Sequence, residues 1–393
     1  MQIKAQPEDF RVEELIEFPG EQGDHAYYRV EKRGLPTLVI REFMARQLHV
    51  RPSAIVVPAL KDAKAVAAQY FSVQQRGPKT LEGQGFSAER VGWGPRELRA
   101  SDVQANRFTV VVRDIASAAE AERLGEAMVA LGRDGLPNYY DDQRFGSYSE
   151  AGFLGKAVLL RDAEEVVRLY LAEPMIGDRS EVRKFKALAA EHWGEWEYLL
   201  DEAPRPSNFR SVLTYLKDHP QRFRKAANLI RNRLMTIYLS AYQSWVWNLI
   251  LARYIEMGME ASPTTNISII RHSFPLPAPL DDPEALMAFE ITLPRLTARY
   301  KGRVGAAAKA VLAAEGLKIN DFKARILERA YVHKGERAIW FRPEDVTAAS
   351  PIEDDRQAGR WAISVAFTLT SGSYATLVMK AAAAHCGEIL LVS

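Results

Sequence analysis

The chain has 393 residues, of which 26% are charged and 47% hydrophobic, with a formal net charge of +2. Two domains are the default at this length, and so balanced a charge excludes recognition of a polyanion by bulk attraction, leaving only a local basic surface for that purpose. The single cysteine, Cys386, excludes an internal disulfide framework and a zinc site of paired cysteines, and it sets the expectation of a reducing, cytoplasmic setting.

The opening residues, Met1 to Pro7, lack the apolar run of a secretory signal. Residues 1 to 113 then read as strands: Tyr27 to Val30, Ala54 to Val57, Tyr70 to Val73 and Phe108 to Val112 are β-branched or aromatic. Helical spacing marks Thr37 to Leu48, and a second helix is predicted from Ala116 to Leu131 after a cap at Asp114. From about Ala151 to Leu293 the texture is helical, broken at Pro204, Pro206 and Pro220. The stretch from Pro220 to Gly258 has no internal proline or glycine, so it is one long helix or two joined helices, with Gly258 suited to its end. Leu234 to Leu251 carries no charge, but its Ser240, Gln243, Ser244 and Asn248 fit a buried helix rather than a membrane span. Ser273 to Pro279 reads as an irregular proline-rich connection. A helix from Ala306 to Glu315 and strands at Arg337 to Phe341 and Trp361 to Leu369 complete the chain. The simplest organisation is a mixed α/β domain built from both ends and interrupted by a mainly helical insertion.

Three segments carry candidate chemistry. In Leu60 to Gln69 a single acid, Asp62, stands between Lys61 and Lys64. Neighbouring cations keep a carboxylate ionised, and an ionised carboxylate can attack carbon or take a proton. The alternative is a solvated turn or helix cap. In Gly135 to Gly146, Asn138 offers an amide to a base edge, Tyr139 and Tyr140 offer rings, and Arg144 offers a cation, a set suited to a base taken out of its stack. The same residues would also make a polar loop whose rings pack on the core. Between Arg205 and Arg233 eight lysines and arginines, among them Arg222, Arg224 and Lys225, accompany one acid and interleaved aromatics. That composition suits either a nucleic-acid surface or a solvated helix face.

The first two of these segments, with others in order along the chain, resemble the TruD family of tRNA pseudouridine synthases. Lys4 to Phe10 followed by Val12 and Glu13 resembles that family's opening motif, and His25 and Thr37 fall where it places such residues. Lys61-Asp62 with Ala65, Val66 and Gln69 resembles the segment of its catalytic aspartate. Pro137 to Tyr140 with Gln143 to Gly146 resembles its base-binding motif, and Asn106 to Phe108 a turn before a strand. Leu239 to Ser244 with Asn248 resembles its insertion domain, and Gly372 to Thr376 its C-terminal motif. The chain departs from the pattern at Ala59, Ala67, Ala105, Asp141 and Thr370, so substrate choice is less safely inherited than chemistry.

The resemblance implies an α+β fold: a pseudouridine-synthase domain with a mixed, largely antiparallel sheet, formed by residues 1–152 and 301–393, and a mainly helical α/β insertion over 153–300. It implies isomerisation of a uridine in tRNA, with position 13 associated with the family, and no cofactor; a monomer without metal, membrane or obligate protein partner is the default expectation beside it. Asp62 would act as nucleophile at the sugar or as base in a glycal route, with Lys4 and Lys61 keeping it ionised. Asn138 would bind the flipped uracil, with Phe10, Tyr140 and Tyr374 packing around it and Arg144 and Gly372 completing the substrate site. Arg222, Arg224 and Lys225 would hold tRNA phosphates. Two other readings remain at this stage: a non-catalytic RNA-binding or RNA-folding protein on the same scaffold, and a glycosidase-like enzyme, which would require a second carboxylate at a defined separation.

Overall fold

Alternating inward and outward residues build the main sheet. The computed structural model describes residues 1–75, 77–258, 265–277, 282–329 and 332–392, and its Cα positions form two compact units. The first unit comprises residues 1–136, 265–267 and 341–393. The main path of its sheet is formed by Phe10–Ile16 (β1), His25–Arg33 (β2), Val66–Val73 (β3), Thr80–Gly83 (β4), Phe86–Gly94 (β5), Val103–Ile115 (β6), Glu344–Ala348 (β7) and Trp361–Thr370 (β8), with shorter strands alongside. They run in the order β7-β8-β6-β1-β3-β2-β5-β4, and every neighbouring pair is antiparallel except β1 with β3. The chain is α+β, as expected from its sequence.

Helix Thr37–Gln47 (α1) buries Ile40 and Met44 against Tyr28, Val30, Phe71 and Val73 of β2 and β3. Burying such a side chain stabilises by about 1.5–3 kcal/mol. Helix Ala118–Asp134 (α2) covers β7 and β8 beside the C-terminal helix Ala375–His385. Its cap is Ser117, whose Oγ accepts from the Glu120 amide at 3.2 Å, and not Asp114. Asp114 instead has a left-handed backbone, φ 56°, and accepts from Arg360 at 2.7 Å. The Arg113 guanidinium joins Asp9, Asp354 and Asp355 at 2.9, 2.7 and 2.5 Å, fixing the turn that leads into Phe10.

The second unit comprises residues 137–264 and 268–340. It is mainly helical, with Leu154–Leu160 (α3) and Gly302–Ala314 (α5) packed on the long helix Asn232–Glu256 (α4). α3 approaches so closely at Gly155 that a Cβ there would lie 2.6 Å from the Tyr238 carbonyl oxygen. The uninterrupted Pro220 to Gly258 stretch resolves into two helices, Phe223–Ala227 and α4. α4 is buried through most of its length, and Gln243 finds partners within the unit, donating to the Pro294 and His333 carbonyls at 2.9 and 2.8 Å, whereas the buried Ser240 hydroxyl has none among the described residues. Part of the expected irregular connection is strand His272–Leu276, which lies in a two-stranded sheet, where both strands are edges and a proline is tolerated; Ala278 and Pro279 lie outside the described residues. Among the described residues no helix is long and apolar enough to cross a membrane.

Candidate active site

In the first unit Asp62 lies on the connection between Val56 and β3, which has no regular secondary structure and must be held by side chains. Thr37 at the start of α1 accepts the Lys61 amide at 3.1 Å and lies 3.3 Å from the Lys61 carbonyl oxygen and from the side chain of Gln69 on β3. The Lys4 ammonium, 5% exposed, bonds Asp62 Oδ2. Lys4 reaches it from a left-handed backbone, φ 59°, a conformation that costs a non-glycine residue of order 1 kcal/mol and that clusters at functional sites. The same ammonium sits 4.2 Å from the centre of the Phe10 ring, which is buried and meets Phe108 edge-on at 5.8 Å.

Burial pushes the Asp62 carboxyl up. The hydrogen bond and charge of Lys4, the Lys64 amide 3.3 Å from Oδ1 and the charge of Lys32 outweigh it, so the group lies below the ordinary carboxylate range. Its side chain remains 34% exposed. Asp62 is therefore an ionised, accessible carboxylate, chemically able to act as an oxygen nucleophile or a base.

Lys61 does not belong to that set. Its ammonium lies 2.9 Å from Glu14 Oε1 and donates to Asn106 Oδ1 at 2.5 Å, so it faces into the sheet and not toward Asp62. The physical reason is Glu14, which β1 points inward after Phe10 and Val12 and whose side chain is fully buried. Its other oxygen accepts the Tyr70 amide at 2.8 Å. Burial raises the Glu14 pKa, and the Lys61 charge and the Tyr70 bond offset this only in part. A buried carboxylate demands a cation more strongly than one already paired with Lys4.

Gly372 and Tyr374 follow β8, whose end pairs Leu369 with Asn106, the acceptor of Lys61. Gly372 has φ 93°, a conformation that favours glycine, and Tyr374 caps the C-terminal helix.

The Asn138 group is assembled separately, within the second unit. The Asn138 amide donates to the Ala338 carbonyl at 3.0 Å, and its Oδ1 and main-chain oxygen accept from Arg337 at 2.5 and 2.8 Å. Arg337 lies over the Tyr140 ring at 4.2 Å, and that ring meets Trp247 edge-on at 5.7 Å. Asn248 on α4 clamps the Tyr140 main chain, giving and accepting at 2.8 Å. Arg144 donates to Ser244 at 3.0 Å and lies 5.5 Å from the Tyr140 ring centre. This fixes one amide, one ring and two guanidiniums, a set able to grip a planar, hydrogen-bonding ligand. Arg222, Arg224 and Lys225 also lie in this unit, exposed at the start of Phe223–Ala227, with Lys225 3.4 Å from Glu328.

Three residues escape a reading by motif. Lys32 and Glu14 carry one signal, a charge in the inward phase of an otherwise apolar alternation (Tyr28, Val30, Lys32; Phe10, Val12, Glu14). Arg337 carries none, since nothing in its surroundings anticipates the approach to Asn138.

The model of the family tRNA pseudouridine synthase D (TruD) matches residues 1–274 and 287–382. The probable tRNA pseudouridine synthase D 1 of Methanococcus maripaludis is 29% identical over 394 residues, covering 97% of this chain and 98% of that protein. The tRNA pseudouridine synthase D of Syntrophotalea carbinolica is 30% identical over 395 residues, covering 96% and 94%. Among solved structures, the putative tRNA pseudouridine synthase D of Methanosarcina mazei superposes with a TM-score of 0.74 at 22% identity, covering 97% of this chain and 92% of that one, a likeness of fold.

Proposed function

This chain belongs to the tRNA pseudouridine synthase D (TruD) family, and from that premise we propose that it isomerises uridine 13 of tRNA to pseudouridine with Asp62 as its nucleophile. It is an isomerase acting on tRNA. The reaction breaks the N1–C1′ bond of the nucleotide, turns the uracil and joins C5 to C1′; C5 loses a proton and N1 gains one, so atoms balance with no oxidant or reductant. Asp62 attacks C1′ as the base departs, holds the sugar as an ester, and is released when C5 takes its place. The observation that carries this reading is the Lys4–Asp62 pair: a buried ammonium keeps the carboxylate charged while a third of its side chain stays open to a substrate.

Asn138, locked in one orientation by Arg337 and Ala338, supplies the amide for the uracil edge, with Tyr140 and Arg144 beside it. Phe10, Gly372 and Tyr374, which belong with Asp62 to the first unit, are further residues for contact with the nucleotide. Lys61 serves as support for Glu14, which holds the sheet under the site. The enzyme works as a cytoplasmic monomer on tRNA, and a base must be taken out of its stack for a carboxylate to reach C1′.

Position 13 is tested with two tRNA transcripts that differ only there. The uridine 13 transcript should acquire one pseudouridine, mapped to that position, and a cytidine 13 transcript none. Modification of both at another uridine would overturn the assignment.

A further inference from the structure

Lys32, near the end of β2, has an inward side chain and is only 2% exposed. It stands in one row with Ala67 of β3 and Val12 of β1, beneath the connection that carries Asp62. Among the described residues it has no carboxylate at ion-pair distance. Instead its ammonium donates to two main-chain oxygens, Leu35 at 2.8 Å and Asp62 itself. A buried cation without a directly paired anion is costly, and a nonpolar side chain would be the ordinary occupant of this inward position. What the cation does there is specific: it ties the main chain of Asp62 to the β2–α1 connection and sets a second positive charge behind the carboxylate.

We propose that Lys32 is a positioning residue for the isomerisation, fixing the height and direction of the Asp62 carboxylate through the Asp62 main-chain oxygen. The proposal rests on the reading of Asp62 as the nucleophile. Three side chains then hold three different atoms of a connection that has no ladder or helix of its own. Thr37 holds the Lys61 amide, Lys32 holds the Asp62 carbonyl, and Lys4 holds Asp62 Oδ2. Without Lys32 the carboxylate would keep Lys4 but lose the anchor behind it.

The charged groups facing Lys32 set its titration. Asp62 raises its pKa and Lys61 lowers it, while Lys4 is taken by Asp62 and Glu14 by Lys61. Burial dominates and brings the ammonium down to about 8. Below that pH the cation is in place; as pH rises through about 8 it is lost, and with it the support of the nucleophile.

The test compares wild type, Lys32→Met and Asp62→Asn on tRNA under single-turnover and steady-state conditions, with folding checked by thermal unfolding. Lys32→Met, which keeps length and apolar bulk, should lower kcat by about ten- to a hundredfold with KM for tRNA nearly unchanged, as for a small misplacement of a reacting group. Wild-type kcat should fall along an alkaline limb near pH 8 that Lys32→Met lacks, and this limb can be measured on wild type alone if the variant misfolds. A folded Lys32→Met with wild-type kcat, or a wild-type profile flat across pH 8, overturns the proposal while leaving an inactive Asp62→Asn, and so the nucleophile, untouched. An active Asp62→Asn would instead remove the reading on which the proposal rests.

Discussion

Asp62 and Glu14 are two carboxylates on neighbouring elements of one unit, and their surroundings push them in opposite directions. Asp62 is part-exposed, holds Lys4 and lies below the ordinary range; Glu14 is buried, has Lys61 as its cation and the Tyr70 amide as donor, and lies above it. Replacing Lys61 therefore acts on the fold first. Lys61→Met leaves Glu14 buried without its cation and should destabilise the protein by about 3 kcal/mol near neutral pH. Because the folded protein then prefers protonated Glu14, whose pKa is already raised, that loss should shrink as pH falls. Urea unfolding of wild type and variant at pH 5 and pH 8 measures it; an equal loss at both would show that Glu14 is not the group left stranded. Asp62 and Lys4 were legible in the sequence, since each stands in a motif. The partner of Lys61 was not: sequence adjacency suggested Asp62, but adjacent residues on an extended connection point apart, and the buried carboxylate on β1 took the cation.

At the scale of elements, α4 shows how a polar pattern on an apolar helix becomes a scaffold. Ser240, Gln243, Ser244 and Asn248 mark the helix as buried within a domain, and Gln243, Ser244 and Asn248 each fix a main chain or side chain within the unit. Asn248 matters most to the candidate base-binding group, because it satisfies both the amide and the carbonyl of Tyr140. Asn248→Ala would remove both bonds and should destabilise the protein by about 1–3 kcal/mol. It should also weaken the binding of tRNA containing the target uridine. Thermal unfolding with a tRNA-binding titration checks this, and unchanged stability would mean that water replaces the clamp. Strands and helices with clear periodicity were readable in advance. The α2 cap was missed by three residues because Asp114 was engaged by Arg360, a partner 246 positions away, and the break between Phe223–Ala227 and α4 had no proline or glycine to announce it.

At the scale of the molecule, the sequence reading divides the chain at 152/153 and 300/301, whereas the compact units divide at 136/137 and 340/341. The Asn138 segment explains the difference, since its partners Asn248 and Arg337 are distant in sequence and no local composition shift records them. A net charge of +2 leaves tRNA affinity to local surfaces, of which Arg222, Arg224 and Lys225 are the exposed candidate. Changing all three to glutamate should weaken tRNA binding and reduce the slope of log affinity against log salt by about 2, as expected for losing three phosphate contacts. The same slope and affinity at low salt would show that the tRNA uses another face. The proposed isomerisation depends above all on Asp62, and the measurement that reaches it most directly is tritium release from tRNA carrying [5-³H]uridine, because every turnover must free the hydrogen on C5. Wild type should release tritium over many turnovers, while a folded Asp62→Asn protein that still binds tRNA should release none; release by that variant at the wild-type rate would contradict the account.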